Sequence, residues 1–151
     1  MNSGELMINC VWAMLCEKSI INQETGNISL IEVMEEIFVP PPPESEETLF
    51  LALAFELVVF WKKQESSNQE DKYKFRLKIV SPSKKTLLEG EREIDFTENL
   101  KTFTVIAFGG LPVAEAGLYE FQIQMPSDAE TQWQNVSVVP LEVNYEPQEN
   151  L

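Results

Sequence analysis

The side chains in this 151-residue chain that could do chemistry are carboxylates, two cysteines and three tryptophans, and histidine is absent. Without histidine, the chain lacks the usual general base, the Ser-His and Cys-His nucleophile pairs, and the commonest zinc or copper ligand. Glu56 is the only acid inside a long apolar run, but no second catalytic group accompanies it. The composition therefore predicts a protein that is not an enzyme and uses no cofactor.

A calcium loop is the metal site that the acidic residues would favour. Glu44, Glu46 and Glu47 cluster after four consecutive prolines, Pro40–Pro43. Calcium loops draw heavily on aspartate, whose short side chain suits a tight cage. Only three of the 25 acids are aspartates, and they are scattered. We interpret this stretch as a solvated acidic linker and expect no metal site.

Cys10 and Cys16 are the only thiols, and both lie in an apolar stretch that is predicted to be one strand. Six residues of strand separate their Cα atoms by about 20 Å, well beyond the ~7 Å that a disulfide spans. We expect buried, reduced cysteines. Glu5 is the only charge before the apolar stretch, which is not typical of a secretory signal peptide. A cytoplasmic location follows as the expectation.

The excess of acidic residues and the short apolar runs argue against nucleic-acid and membrane partners. The net charge is −14, although residues 62–85 hold eight bases against three acids. Because so acidic a chain repels phosphate backbones, we expect no nucleic-acid binding. The longest apolar run, residues 49–61, is too short to span a bilayer, so we expect no membrane partner.

Two runs of alternating charge predict a β-hairpin. Four bases and four acids recur at two-residue spacing on either side of a turn at residues 81–85. Side chains two apart share one face of a strand, and opposite charges attract across a strand pair. The predicted pairs are Lys72–Asp95, Lys74–Glu93, Arg76–Glu91 and Lys78–Glu89. The pattern indicates an all-β, antiparallel protein.

Turn signals separate eight or nine predicted strands, and no helix-period stretch of ten residues occurs. This spacing is typical of an antiparallel β-sandwich, immunoglobulin-like or C2-like, over residues 1–146 with a disordered tail at 147–151. Gly26 can take the positive φ that a hairpin turn needs. Tyr119, in Gly117-x-Tyr119-x-Phe121, is predicted to form a tyrosine corner, in which its hydroxyl bonds back to the backbone.

The stretch from Thr48 to Lys63 is predicted to be one long strand, bent or bulged, with two apolar faces. Its odd positions form a core face, whereas its even positions are mostly apolar where a solvent-facing strand should be polar. Two covers remain open, the chain's own Pro40–Pro43 segment or a partner chain. The candidate partner surface comprises Phe50, Glu56, Val58 and Phe60.

Of the three tryptophans, Trp12 and Trp61 lie in apolar strands and are assigned to the core. Trp133 is flanked by the amides of Gln132 and Gln134. It is therefore the candidate contact for a ligand or a carbohydrate ring.

Six segments of the chain share a pattern with a known family: Cys16-Glu17, Thr25–Ile31, Pro40–Pro43, Leu51–Leu53, Gly117–Phe121 and Pro140–Val143. Together they resemble a family of small bacterial and phage-associated proteins known only as a domain of unknown function. The resemblance covers most of the chain but departs at the loop 126–132, which is longer and contributes Trp133. It implies a β-sandwich and brings no catalytic or binding residue.

These observations predict a non-enzymatic interaction or accessory subunit of a bacterial or phage-related assembly. It would bind another protein chain, of its own or a different kind, through a sheet surface. The alternative is a ligand- or carbohydrate-binding module with Trp133 at the site.

Overall fold

The computed structural model describes residues 8–42, 48–64, 71–127 and 132–147. These residues form strands and turns, and none of them is helical. The strands are β1 (Ile8–Ile21), β2 (Ile28–Val33), β3 (Glu36–Val39), β4 (Leu49–Leu51), β5 (Phe55–Lys63), β6 (Lys72–Val80), β7 (Thr86–Asp95), β8 (Lys101–Phe108), β9 (Leu111–Val113), β10 (Gly117–Pro126) and β11 (Trp133–Tyr145). The predicted all-β class is confirmed, with eleven strands in the described ranges rather than eight or nine. The acidic linker Glu44–Glu47 and residues 148–151 of the predicted tail lie outside those ranges.

The strands form a four-stranded sheet in the order β2-β1-β5-β8, a five-stranded sheet in the order β3-β11-β10-β6-β7, and a two-stranded sheet of β4 and β9. Neighbouring strands are antiparallel except β3 and β11, which are parallel. The prediction of a wholly antiparallel fold is therefore wrong at this pair. Only Met34 and Glu35 separate β2 from β3, and the chain passes from one sheet to the other there.

The two larger sheets share one hydrophobic core. Every second residue of β5 and β10 is buried, as the two-residue period of a strand requires. Such burial is worth about 25 cal/mol per Å² of apolar surface. The largest side chains that are fully buried are Trp61, Tyr119, Phe55, Phe75 and Phe121, drawn from both sheets. Trp61 is a core residue, as predicted from the sequence.

The charged hairpin has the predicted register. Strand β6 pairs with β7 so that Lys72, Lys74, Arg76 and Lys78 lie opposite Asp95, Glu93, Glu91 and Glu89. Within the described residues, one ion pair joins these strands, and it is diagonal: the Arg76 Nη1 to Glu89 Oε1 distance is 2.6 Å. Exposed pairs contribute about 0.2–1 kcal/mol at most. The charges therefore select the register more than they stabilise the hairpin.

Two predicted backbone features are also present. Gly26 has a φ of 76° in the turn between β1 and β2. The Tyr119 hydroxyl donates a hydrogen bond to the Glu115 carbonyl oxygen over 2.7 Å, as expected of a tyrosine corner. Gly117 has a φ of 136°, and a Cβ at that position would meet the Pro82 ring. This crowding explains why glycine precedes the tyrosine.

We predict that Tyr119→Phe lowers the free energy of unfolding by about 1 kcal/mol, because the Glu115 carbonyl loses its donor. Urea denaturation followed by tryptophan fluorescence measures the effect. Tyr145→Phe is the matched control, since the Tyr145 hydroxyl makes no hydrogen bond to a described residue. Equal losses in the two variants would contradict a specific role for the corner.

Candidate functional site

The predicted single strand over residues 48–63 is wrong. The structure divides it into β4 and β5, with residues 52–54 between them. Phe50 lies on β4 and pairs with Pro112 in the two-stranded sheet. Phe50 is 64% exposed, and its ring occupies the space that a side chain at position 110 would need, where the chain has glycine. Phe50 therefore does not share a face with Val58 and Phe60.

Three aromatic rings cluster on the side of the four-stranded sheet that faces away from the core. Trp12, Phe60 and Phe103 are direct neighbours across β1, β5 and β8. The Phe60 and Phe103 rings are stacked with centroids 4.9 Å apart, and Trp12 lies 5.7 Å from Phe60. All three are half-buried and none belongs to the core shared by the sheets. The assignment of Trp12 to that core is therefore wrong.

A second apolar row runs beside the rings. Met14, Val58 and Val105 are aligned across the same three strands. Val58 is completely buried, although it is not part of the core between the sheets, whereas Met14 and Val105 are each 37% exposed. Met14 and Val105 flank Val58 directly on the neighbouring strands. We call the two rows, Trp12, Phe60, Phe103, Met14, Val58 and Val105, the outer apolar face.

Charge marks the two ends of the outer apolar face. Lys62 and Lys101 lie opposite each other beyond the rings, both exposed and neither in an ion pair with a described residue. Glu56 lies at the other end and is half-buried. Its Oε1 accepts a hydrogen bond from the Ser19 hydroxyl over 2.6 Å. One end of the face is thus positive in a chain of net charge −14.

The exposed side of the five-stranded sheet has the opposite character. A polar chain crosses four strands, from Glu89 through Arg76 and Gln124 to Asn135. Arg76 Nε donates to Gln124 Oε1 over 2.7 Å, and Gln124 Nε2 donates to Asn135 Oδ1 over 2.8 Å. Its polar groups satisfy one another, and Gln124 within it is buried. The same sheet also exposes the apolar side chains of Phe38, Leu118 and Val138.

Trp133 belongs to that polar side. The Arg76 guanidinium carbon lies 4.9 Å from the centroid of the Trp133 ring, a cation–π distance. One face of the ring is therefore already in contact with the protein. A stacked sugar or ligand would have only the other face, so the ligand-binding alternative stays a prediction without further support from the geometry.

Both cysteines are free thiols on β1. Cys16 is buried, as predicted, whereas Cys10 is half-buried, so the expectation of burial is wrong there. Burial raises the pKa of the Cys10 thiol, and a hydrogen bond with Ser137 partly opposes this. Burial and then the nearby Glu56 carboxylate raise the pKa of Cys16. Neither environment favours the nucleophilic thiolate.

Other kinds of site find no support in the described ranges. No group of three or more cysteines and acids there could hold a metal ion. No helix long and apolar enough to cross a membrane is found among those residues either. No protein-family model matches the chain, and no curated protein matches it.

Sequence reasoning found Phe60, Glu56 and Val58 but missed the residues that complete the face. Phe103 and Val105 alternate with Thr102 and Thr104 on β8, a pattern that signals one apolar and one polar side. The alternation could have identified Phe103 and Val105 as one apolar side of β8. It does not show which side of the strand faces the core. In the structure the Thr104 side faces inward, and the Thr104 hydroxyl accepts a hydrogen bond from Trp61 Nε1 over 2.9 Å.

We predict slow thiol labelling in the native protein, because a raised pKa leaves less thiolate near neutral pH. With Ellman's reagent at pH 8, Cys16 in a Cys10→Ala variant should react at least about tenfold more slowly than in urea. Cys10 in a Cys16→Ala variant should fall between, since it is partly exposed. Native rates equal to those in urea would contradict this account.

Proposed function

We propose that this chain is a non-enzymatic interaction module that binds a partner protein through the outer apolar face. The carrying observation is the cluster of Trp12, Phe60 and Phe103 on the side of a sheet that does not face the core. An antiparallel sheet with one solvated face normally carries polar side chains there. Aromatic residues at the centre of an exposed surface are the commonest anchors of protein interfaces.

The charges beside the face indicate the chemistry of the partner. Lys62 and Lys101 lie next to the rings, whereas the Glu56 carboxylate at the far end already has the Ser19 hydroxyl as a donor. A partner with apolar side chains against the rings and carboxylates against the lysines would complement both features. Such complementarity mainly accelerates association and selects the partner.

The shared core and the tyrosine corner support a β-sandwich of immunoglobulin-like or C2-like type. The free thiols of Cys10 and Cys16 support a reducing, cytoplasmic setting. A role in a bacterial or phage-related assembly follows from the sequence resemblance. No nucleic acid or membrane partner is part of this proposal.

We predict that Phe60→Glu and Val105→Glu each abolish partner capture. A carboxylate forced into a dry apolar contact should weaken binding on the order of 100-fold. Wild-type and variant proteins are immobilised, and the proteins captured from the native host's lysate are quantified by mass spectrometry. Leu118→Glu is the matched control, because Leu118 is an exposed apolar residue on β10 of the other sheet.

Thermal denaturation separates binding from folding in this experiment. Val105 is more exposed than the stacked Phe60 ring, so Val105→Glu should leave the melting temperature close to that of the wild type. Proteins retained by the wild type and Leu118→Glu but lost from both face variants would support the proposal. The same captured proteins from all four baits would refute it.

We predict that the double variant Lys62→Glu/Lys101→Glu weakens capture of the same proteins, and that added salt weakens capture by the wild type. Both follow if partner carboxylates lie near the lysines. The control is Lys84→Glu/Lys85→Glu, which makes the same charge change in the β6–β7 turn. Capture that is insensitive to salt and to both double variants would show that the lysines play no part.

A further inference from the structure

One long edge of the four-stranded sheet has no neighbouring strand among the described residues. Strand β8 ends the order β2-β1-β5-β8 and pairs with β5 alone. That pairing keeps one register from Lys101 to Phe108, the whole length of β8. The backbone N–H and C=O groups along the other side of β8 therefore lack a strand partner, and such a row is a template for one more strand.

Strand β8 also lacks the features that usually block such an edge. Residues 102–108 contain no charge and no proline, and no bulge interrupts them. The other edge strands of the two large sheets each have at least one such feature. Strand β2 carries Glu32 at a φ of 53°, β3 has four residues and runs into Pro40, and β7 is rich in charge. Among these edges, β8 is the most open to strand addition.

The inward side of β7 is uncovered beside this edge. Leu88 and Gly90 lie opposite Ile79 and Leu77 of β6, and side chains directly opposite each other share one face. Ile79 and Leu77 are buried, whereas Leu88 is 43% exposed. A Cβ on Gly90 would have no heavy atom within 4 Å. The four-stranded sheet thus covers β6 but stops short of this part of β7.

A groove occupies the space between β8 and the uncovered part of β7. Its volume is 310 Å³, and its walls include Leu77, Leu88 and Gly90 on one side and Ile106 and Phe108 on the other. A fifth strand of the four-stranded sheet would lie along this groove. Because side chains alternate between the two faces of a strand, every second side chain of such a strand would enter it.

One charge in the groove has no ionic partner among the described residues. Glu89 lines the groove, but its carboxylate forms the ion pair with Arg76. Arg92 lines it too, and its guanidinium forms no ion pair with any described residue. Arg92 lies two residues from Gly90, on the same side of β7. A carboxylate would complement Arg92, and an apolar side chain would fill the open space over Gly90.

We propose that an extended segment of another protein adds to β8 as a fifth strand and fills this groove. On its inward side, the segment carries an apolar residue over Gly90 and, two residues away, an aspartate or glutamate near Arg92. Its backbone bonds to β8, and its alternate side chains give specificity, as in other cases of strand addition. A single strand fits this space better than a second copy of the chain, because two paired β8 strands would bring the β7 of both copies into it.

This contact is separate from the outer apolar face, although β8 contributes to both. Phe103 and Val105 lie on the outer side of β8, whereas the groove lies on its inner side. The added strand would extend the sheet, so its outward side chains would lie beside Val105. The contact does not depend on the proposed function, and its test needs no cellular partner.

A yeast-displayed library of random peptides about twelve residues long, longer than a typical strand, is selected on the full chain. Enriched peptides should share an apolar residue two positions from an aspartate or glutamate. Synthesised singly, they should slow amide hydrogen exchange in residues 102–108, because backbone bonds to an added strand protect those N–H groups.

Gly90→Val and Arg92→Glu should each raise the dissociation constant of these peptides at least about tenfold. The first fills the groove, and the second repels the carboxylate. Gly90→Val should not lower the melting temperature, since the valine has open space and glycine weakens a strand interior. The matched controls, Glu91→Val and Lys74→Glu, place the same side chains on the outer side of the β6–β7 hairpin and should not weaken binding.

Three results would overturn the proposal: no enriched peptide, peptides that bind Gly90→Val and Arg92→Glu as tightly as the wild type, or bound peptides that leave exchange in residues 102–108 unchanged. Peptides that Phe60→Glu loses and Gly90→Val retains would place binding on the outer apolar face and overturn it as well. A dimer of the chain that Gly90→Val dissociates would assign the groove to a second copy instead. Because partner capture is measured separately, failure of this contact and failure of the proposed function can be told apart.

Discussion

Strand β5 has apolar side chains on both faces, and the rest of the fold depends on how the two faces are covered. Its inward side chains enter the core between the sheets, while Val58 and Phe60 point outward. Val58 is fully buried, and Met14 and Val105 flank it on β1 and β8. An edge position would leave Val58 in water, which at about 25 cal/mol per Å² is a substantial loss. The composition of β5 thus requires a neighbour on each side.

The two large sheets expose surfaces of opposite chemistry. On the five-stranded sheet, the hydrogen bonds from Arg76 through Gln124 to Asn135 leave few polar groups without a partner, so that surface is satisfied by itself and by water. On the four-stranded sheet, the rings of Trp12, Phe60 and Phe103 cover one another in part and leave the remainder exposed. The aromatic cluster is thus confined to the four-stranded sheet, whereas the apolar side chains exposed on the five-stranded sheet include Phe38, Leu118 and Val138.

Residues 17–21 of β1 and strand β2 form a hairpin arm at one end of the four-stranded sheet. Beyond Cys16, β1 has no neighbour in β5, so the arm relies on β2 alone. Ile20 and Ile21 of the arm are half exposed, whereas the β7 edge of the other sheet is rich in charge. The four-stranded sheet therefore combines an aromatic cluster on its outer side with a hairpin that has one neighbouring strand in the described residues.

The sequence by itself determined features that depend on residues close together in the chain. The register of β6 and β7, the turn at Gly26 and the bond from Tyr119 to Glu115 were predictable because a short turn or a four-residue separation limits the alternatives. The assignment of Phe50 and Trp12 was not predictable in this way. A two-residue period shows that a strand has two faces, but not which strands become its neighbours. That choice was made by the tertiary structure alone, because only the packing of distant strands decides which apolar face is enclosed in the core and which is left at the surface.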